Sequence, residues 1–244
     1  MKGWIIAGCA LLLGQGPALA QEEEPVEAAP VEEAPVEEVV AEEAPADEVS
    51  DEEVAGEDSG EDAGWPISGF VDLYYVPTAD LGSAGAHAYA DGAGGRVQVQ
   101  FWKALAVSGE YTTRTFDDDS TLDEQRVGLG AVTRNGAGDT AGLFVEYQRL
   151  DFEAAGVVDG YAVHGRLSHP VYEWLRFQAD LGYKRLEGDA EKASGFEFSA
   201  GVAGSYGPFG LFADWRRSQL EGKDTGARLS LEDVRVGARY TFGD

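Results

Sequence analysis

His164, Arg166 and Ser168 occupy alternate positions of one segment and supply the residue types from which a hydrolase assembles a base and a nucleophile. Alternate residues on an extended strand point the same way but stand about 6.6 Å apart, so Ser168 sits roughly 13 Å from His164, beyond hydrogen-bond reach. A nucleophile for His164 would have to come from another strand. The plainer role is a hydrogen-bonding one inside the fold. Asp117-Asp118-Asp119-Ser120 offers hard oxygen ligands for calcium, but without the spaced ligands and bidentate glutamate of a calcium loop it reads more simply as a solvated turn. His87, with Asp80 and Asp91 in the same stretch, makes an acid–imidazole grouping. No glycine loop joins a strand to a helix to cradle phosphate, and no ligand spacing calls for a metal or cofactor. Nucleic acid is not an expected partner, because basic patches interleaved with aromatics are missing and the formal net charge of the 244 residues is −27.

That charge is unevenly spread. Residues 21 to 64 carry 19 acidic side chains and no basic one, while residues 65 to 244 hold 26 acids against 17 basic residues, a net of −9. Three segments follow. Residues 1 to 20 read as a signal peptide, with Lys2 as the positive start, Trp4 to Leu13 as the apolar run and Ala18-Leu19-Ala20 as the cleavage site. Ile6-Ala7-Gly8-Cys9 is a competing lipoprotein box, although few apolar residues precede Cys9. Cleavage after Ala20 removes this single cysteine, so neither a disulfide framework nor a thiolate site is expected.

Residues 21 to 64 repeat Pro-Val-Glu-Glu-Ala units with no aromatic residue. Such a composition buries too little apolar surface to offset ordering its backbone, so it reads as a disordered acidic arm. The arm is expected to be a spacer, or to hold cationic periplasmic partners by an attraction that weakens with salt.

From residue 65 onward apolar and polar residues alternate with period two, as in Arg96-Val97-Gln98-Val99-Gln100-Phe101. The alternation predicts ten strands, near 67–76, 94–102, 105–116, 123–133, 140–152, 159–168, 174–186, 194–206, 209–218 and 230–242. Eight strands with long hairpins is the alternative. No later segment has the roughly 18 to 20 apolar residues of a membrane helix, but a barrel strand crosses with about 9 to 11.

Between Ile67 and Tyr75, Val97 and Phe101, Leu105 and Tyr111, Val127 and Ala131, Ala141 and Tyr147, Tyr161 and Leu167, Leu175 and Tyr183, Phe196 and Tyr206, Phe209 and Trp215, and Val234 and Phe242 the apolar phase carries no charge, whereas the other phase holds Asp72, Glu110, Glu146, Arg166, Arg176, Asp180, Glu197, Asp214, Arg235 and Arg239, with His164 among them. The apolar phase ends in aromatics at both margins. Tyr75, Tyr111, Tyr147, Tyr161, Tyr183, Phe196 and Trp215 lie toward one rim; Phe101, Tyr206, Phe209, Tyr240 and Phe242 lie toward the other. Two such belts suit the headgroup levels of a bilayer. The connections also alternate. Lys103-Ala104, Asn135-Gly136, His169-Pro170 and Gly207-Pro208 mark short turns, while Thr78–Ala93, Asp117–Thr121, Glu187–Ala193 and Leu220–Arg228 read as longer external loops. An all-β, antiparallel, up-and-down transmembrane barrel accounts for these features together.

The chain ends Val234-Arg235-Val236-Gly237-Ala238-Arg239-Tyr240-Thr241-Phe242, an alternation closing on phenylalanine, with Gly243 and Asp244 after it. This resembles the C-terminal assembly signal of bacterial outer-membrane β-barrel proteins, and the resemblance extends over essentially all of residues 65 to 244. It implies residence in the outer membrane with the arm in the periplasm, contact with lipid, and capture by the barrel assembly machinery through Phe242. Some barrels of this kind are hydrolases or acyltransferases, and the grouping of His87 with Asp80 and Asp91 resembles the ten-stranded omptins in general location only.

Three functions are therefore in view. The first is a small non-enzymatic barrel, structural or narrowly porin-like, with the charged lumen either plugged by opposite charges or setting a pore's selectivity. The second is a barrel enzyme acting on lipid or peptide at the outer rim. The third is a soluble periplasmic barrel or sandwich that binds a ligand.

Overall fold

The computed structural model describes residues 67–83, 85–102, 104–153, 156–188 and 192–243. The expected signal peptide, its Cys9 alternative and the acidic arm lie outside the described residues. Ten strands make up the fold: β1 (Ser68–Ser83), β2 (Ala86–Phe101), β3 (Leu105–Phe116), β4 (Thr121–Arg134), β5 (Thr140–Phe152), β6 (Gly156–Tyr172), β7 (Leu175–Gly188), β8 (Lys192–Tyr206), β9 (Phe209–Gly222) and β10 (Arg228–Phe242). Each pairs antiparallel with its neighbours in sequence, and β1 pairs with β10, with Gly69 opposite Phe242, to close an up-and-down barrel. The count is ten, so the eight-stranded alternative is set aside. Because the number is even, Ser68 and Phe242 lie at one end, called here the terminal rim; the hairpin tips near Ser83 and Gly222 form the distal rim.

The band next to the terminal rim is apolar outside. Val97, Leu129, Leu143, Val145, Leu167, Leu181 and Leu211 are all exposed, while the interleaved Arg126, Glu146 and His164 are buried. Gln98 and Gln100 line the interior rather than facing bulk solvent. A soluble barrel or sandwich would reverse this arrangement, so the third reading above is overturned.

Toward the distal rim the polarity of the wall inverts. On β5 the outward series Leu143, Val145, Tyr147 continues as Arg149 and Asp151, while the inward series Glu146, Gln148 continues as Leu150 and Phe152. β7 does the same, Leu181 and Tyr183 giving way outside to Arg185 and Glu187 as Lys184 gives way inside to Leu186. The inward apolar residues of this zone, among them Leu81, Phe116, Leu122, Leu220, Leu229 and Leu231, form one buried cluster. The strands run 12 to 17 residues, longer than the about 9 to 11 that cross a bilayer. The distal part is thus built like a soluble barrel standing on a membrane one.

This inversion corrects the expected loops. Most of Thr78–Ala93 is strand, and only two residues separate Ser83 from Ala86. Connections at both rims span two to five residues, so the two ends differ in wall polarity and not in loop length. The pairing register of β1 slips around Pro77, on both the β2 and β10 sides. Proline has no N–H to give a ladder and is accommodated at such a bulge. The slip shifts the alternation by one, which is why Val76 and Ala79, three apart, both face inward and why the segment past Tyr75 looks irregular in sequence.

Candidate functional site in the barrel lumen

The lumen is filled in layers. Below the distal apolar cluster lie five cations, Arg114, Arg126, Lys184, Arg216 and Arg235, with five carboxylates, Glu110, Glu124, Glu197, Asp214 and Asp233. Arg126 of β4 forks onto both oxygens of Glu197 of β8, at 2.5 and 2.8 Å, and its Nε donates to Glu124 at 2.8 Å. Lys184 donates to the same Glu197 at 2.7 Å. Arg216 of β9 reaches Glu124 of β4 and Asp233 of β10, each at 2.8 Å. Arg114 of β3 donates to Asp233 and to Glu124, while Arg235 of β10 joins Asp214 to Glu110 of β3. Tyr74 adds its hydroxyl to Glu110 at 2.7 Å and meets Thr112 at 2.6 Å. Several of these bonds join strands that are not neighbours, so they span the interior and do not merely decorate a wall.

A second layer sits nearer the terminal rim. Asp72 accepts from Arg96 at 2.7 Å and from Arg239 at 2.7 and 2.9 Å. Arg166 bridges Asp180, at 2.9 Å, and Glu146. Phe70 lies under the Arg239 guanidinium at 4.1 Å and Phe144 under that of Arg166 at 4.2 Å, a stacking geometry that suits the planar arginine head. His164 is fully buried; its Nδ1 donates to Asp180 at 2.7 Å, while Nε2 stands 3.4 Å from the Gln148 amide and 3.6 Å from Glu146. The ring fits because Gly182 on β7 has no side chain: a Cβ there would come within 2.4 Å of it.

Below this layer the lumen opens into a cavity of about 410 Å³ at the terminal rim. Arg96, Arg166, Arg176 and Arg239 reach it, together with Gln98, Gln178, Ser168 and Ser199.

The structure places all of Asp72, Glu110, Glu146, His164, Arg166, Arg176, Asp180, Glu197, Asp214, Arg235 and Arg239 inside the barrel. It does not bring His164 to Ser168, whose hydroxyl instead accepts from Arg176 at 2.9 Å. His164 has Asp180 as an orienting acid, but both its nitrogens face lumen groups and the ring is fully covered. Ligand atoms of His164, Asp180 and Glu197 lie within 4.8 Å of one another. Asp180 is already held by Arg166, and Glu197 by Arg126 and Lys184, so a cation there would have to displace fixed ones.

At the distal tip His87 meets Asp80 at 3.0 Å, whereas Asp91 accepts from Tyr75. In the acidic turn Asp118 accepts from the backbone and hydroxyl of Ser120, at 3.2 and 2.6 Å, an Asx turn.

Of the two aromatic series, Tyr75, Tyr111, Tyr147, Tyr161, Tyr183 and Phe196 project outward from the level where polarity inverts, with Trp215 beside them half-buried against Phe198. Tyr147 packs edge-on to Tyr161 and Tyr183 to Phe196. Phe101, Tyr206, Phe209, Tyr240 and Phe242 lie at the terminal rim, where Tyr240 joins Phe209 and Phe242.

Sequence reasoning missed Arg96, Arg114, Glu124, Arg126, Lys184, Arg216 and Asp233. Each continues the inward phase one or three residues beyond the last apolar outward position of its strand, which is Val97, Tyr111, Val127, Tyr183, Trp215 or Val234. Extending the phase through that boundary would have found them.

The chain folds as a closed ten-stranded antiparallel barrel with an apolar band on its outer face. Solved structures with a similar barrel include Neisserial surface protein A, at 12% identity over 72% of this chain and 97% of that one, with a TM-score of 0.37. The outer membrane protease OmpT from Escherichia coli matches at 11% identity over 75% and 99%, with a TM-score of 0.43. An anion-selective porin from Comamonas acidovorans matches at 15% identity over 70% of this chain, with a TM-score of 0.35; the chain spans 59% of that porin. No protein-family model and no curated protein matches the sequence.

Proposed function

We propose that the protein is a closed, non-enzymatic structural barrel of the outer membrane, anchored in lipid by its apolar band and not a conduit for solutes. The observation that carries this reading is the Arg126–Glu197 fork, which joins β4 to β8 through the middle of the lumen with both side chains at most 5% exposed. Four further cation–carboxylate sets surround it, and the leucine-rich cluster stands distal to them. A permeant ion would have to break several desolvated ion pairs and then cross a dry apolar layer, and both steps are costly.

In this reading the terminal rim faces the periplasm and the distal soluble-type wall stands outside the cell. Phe242, at the end of β10, is the residue the assembly machinery reads, and the acidic arm of residues 21 to 64 attracts cationic periplasmic partners.

Planar bilayers test the closure. Purified chain, with insertion confirmed by a fluorescent label, is expected to leave the current at baseline across many insertions. Reproducible stepwise conductance would overturn it in favour of a narrow pore.

A further inference from the structure

We propose that the cavity at the terminal rim is a binding site for a small organic dianion, of the phosphomonoester or dicarboxylate class. The argument rests on which half of each ion pair faces the cavity. Asp72, which balances Arg96 and Arg239, is fully covered, whereas the two guanidiniums are 18% and 12% exposed. Glu146, one of the two acids on Arg166, is 1% exposed while Arg166 is 22% exposed. The carboxylates are tucked behind their cations, so donors line the open space. One carboxylate serves both Arg96 and Arg239, which leaves that trio with an excess positive charge.

Three acids partly offset this. Asp180 is 16% exposed beside Arg166, Asp214, at 10%, is held by Arg235, and Glu173 lines the cavity too. Arg134 and Arg176 add two further guanidiniums to the lining, and Gln98, Gln178, Ser168 and Ser199 are neutral.

The arginines are also fixed in place. Arg239 lies over Phe70 and Arg166 over Phe144, and each is clamped by a carboxylate on its other edge, so little side-chain freedom is lost when an anion docks. Planar guanidinium forks held over aromatic rings suit bidentate recognition of phosphate or carboxylate oxygens. A volume of about 410 Å³ falls within the usual range for small-ligand pockets, and the ion-pair layers close its inner end. An inorganic anion and an organic one share this chemistry; the size of the cavity and the partly exposed Phe70 in its wall favour the organic one.

The test is titration calorimetry on the full chain in detergent, with phenyl phosphate, succinate and inorganic phosphate as probes at constant ionic strength and glucose as the neutral control. Saturable binding of phenyl phosphate or succinate is expected, at least tenfold tighter than inorganic phosphate. Arg239→Gln should weaken it at least tenfold. Ser199→Trp, which fills the cavity without removing charge, should do the same in a barrel whose heat-modifiable gel mobility is normal. Absence of saturable binding by both organic dianions would overturn the site, as would full binding by a folded Ser199→Trp variant. The site does not depend on the lumen being sealed: a barrel that conducts yet binds phenyl phosphate overturns the closure alone.

Discussion

Arg114 on β3 and Asp233 on β10 are 119 residues apart in the chain, yet the guanidinium donates directly to the carboxylate and both side chains are fully buried. Arg216 converges on the same carboxylate oxygen, and Glu124 also accepts from both arginines, so two carboxylates share two cations. Charges desolvated in this way stay favourable only while paired, and removing one partner typically costs about 3–5 kcal/mol. Asp233→Ala is therefore expected to lower the unfolding free energy of the detergent-solubilised barrel, read from its urea midpoint and slope, by an amount in that range. Asp117→Ala, in an exposed turn, should stay within about 0.5 kcal/mol of the parent. Equal midpoints for the two variants would show that the lumen network is not holding the barrel shut.

A smaller lock lies at the terminal rim, outside the membrane-spanning wall. Asn135 donates to Asp139 at 2.7 Å and His169 donates to its other oxygen at 2.6 Å, tying the β4–β5 turn to β6. The Asn135 amide, with His169 second, holds the Asp139 carboxyl below the usual carboxylate range. A depressed value means that the folded turn favours the ionised form. Its contribution is complete above the ordinary carboxylate pKa and fades as pH falls through the lowered one. The protection of the turn's amides, relative to their intrinsic exchange rates, should fall on acidification over that window, and Asp139→Asn should remove that change. An unchanged profile in the variant would place the titration elsewhere.

The membrane half of the barrel was legible because a single rule governs it: period-two alternation with charge confined to one phase. Asp72, Glu146 and Arg235 could be assigned to the interior from that rule alone. The distal half was not legible, because there the rule is satisfied with its sign reversed. Leu150 and Phe152 face inward where Glu146 and Gln148 had done so, and a reader tracking apolar positions as the outer face sees the pattern stop at Tyr147. Pro77 adds a register slip that makes the end of β1 look like a loop. Which acid pairs with which base is a matter of three-dimensional reach between distant strands, as with Arg126 and Glu197, and sequence spacing carries no trace of it.

Phe242 ends β10 opposite Gly69, at the seam where the barrel closes. If this residue is what the assembly machinery reads, Phe242→Ala should reduce the folded, heat-modifiable fraction in outer membranes several-fold while leaving refolding into detergent near normal. Phe101→Ala, an aromatic at the same rim but not at the chain end, serves as the control. Equal losses for both would reduce Phe242 to one more rim contact.

The polarity inversion gives the sharpest expectation for where lipid ends. Leu143 is 60% exposed in the apolar band, and an arginine near the midplane of a barrel's lipid face costs about 2–4 kcal/mol. Thr115 also points outward, but it lies past the Tyr111 level, among residues such as Asp123 and Asp151 that are already polar. Leu143→Arg should therefore destabilise the barrel in lipid vesicles by that amount, and Thr115→Arg by no more than about 0.5 kcal/mol, the usual range for a surface change. In the same vesicles the distal wall should stay wetted, and a water-soluble quencher should reach a probe on a Thr115→Cys variant but not one on Leu143→Cys. If both positions are shielded equally, the bilayer covers the whole wall, and the distal segment is not the soluble-type barrel that its inward leucines describe.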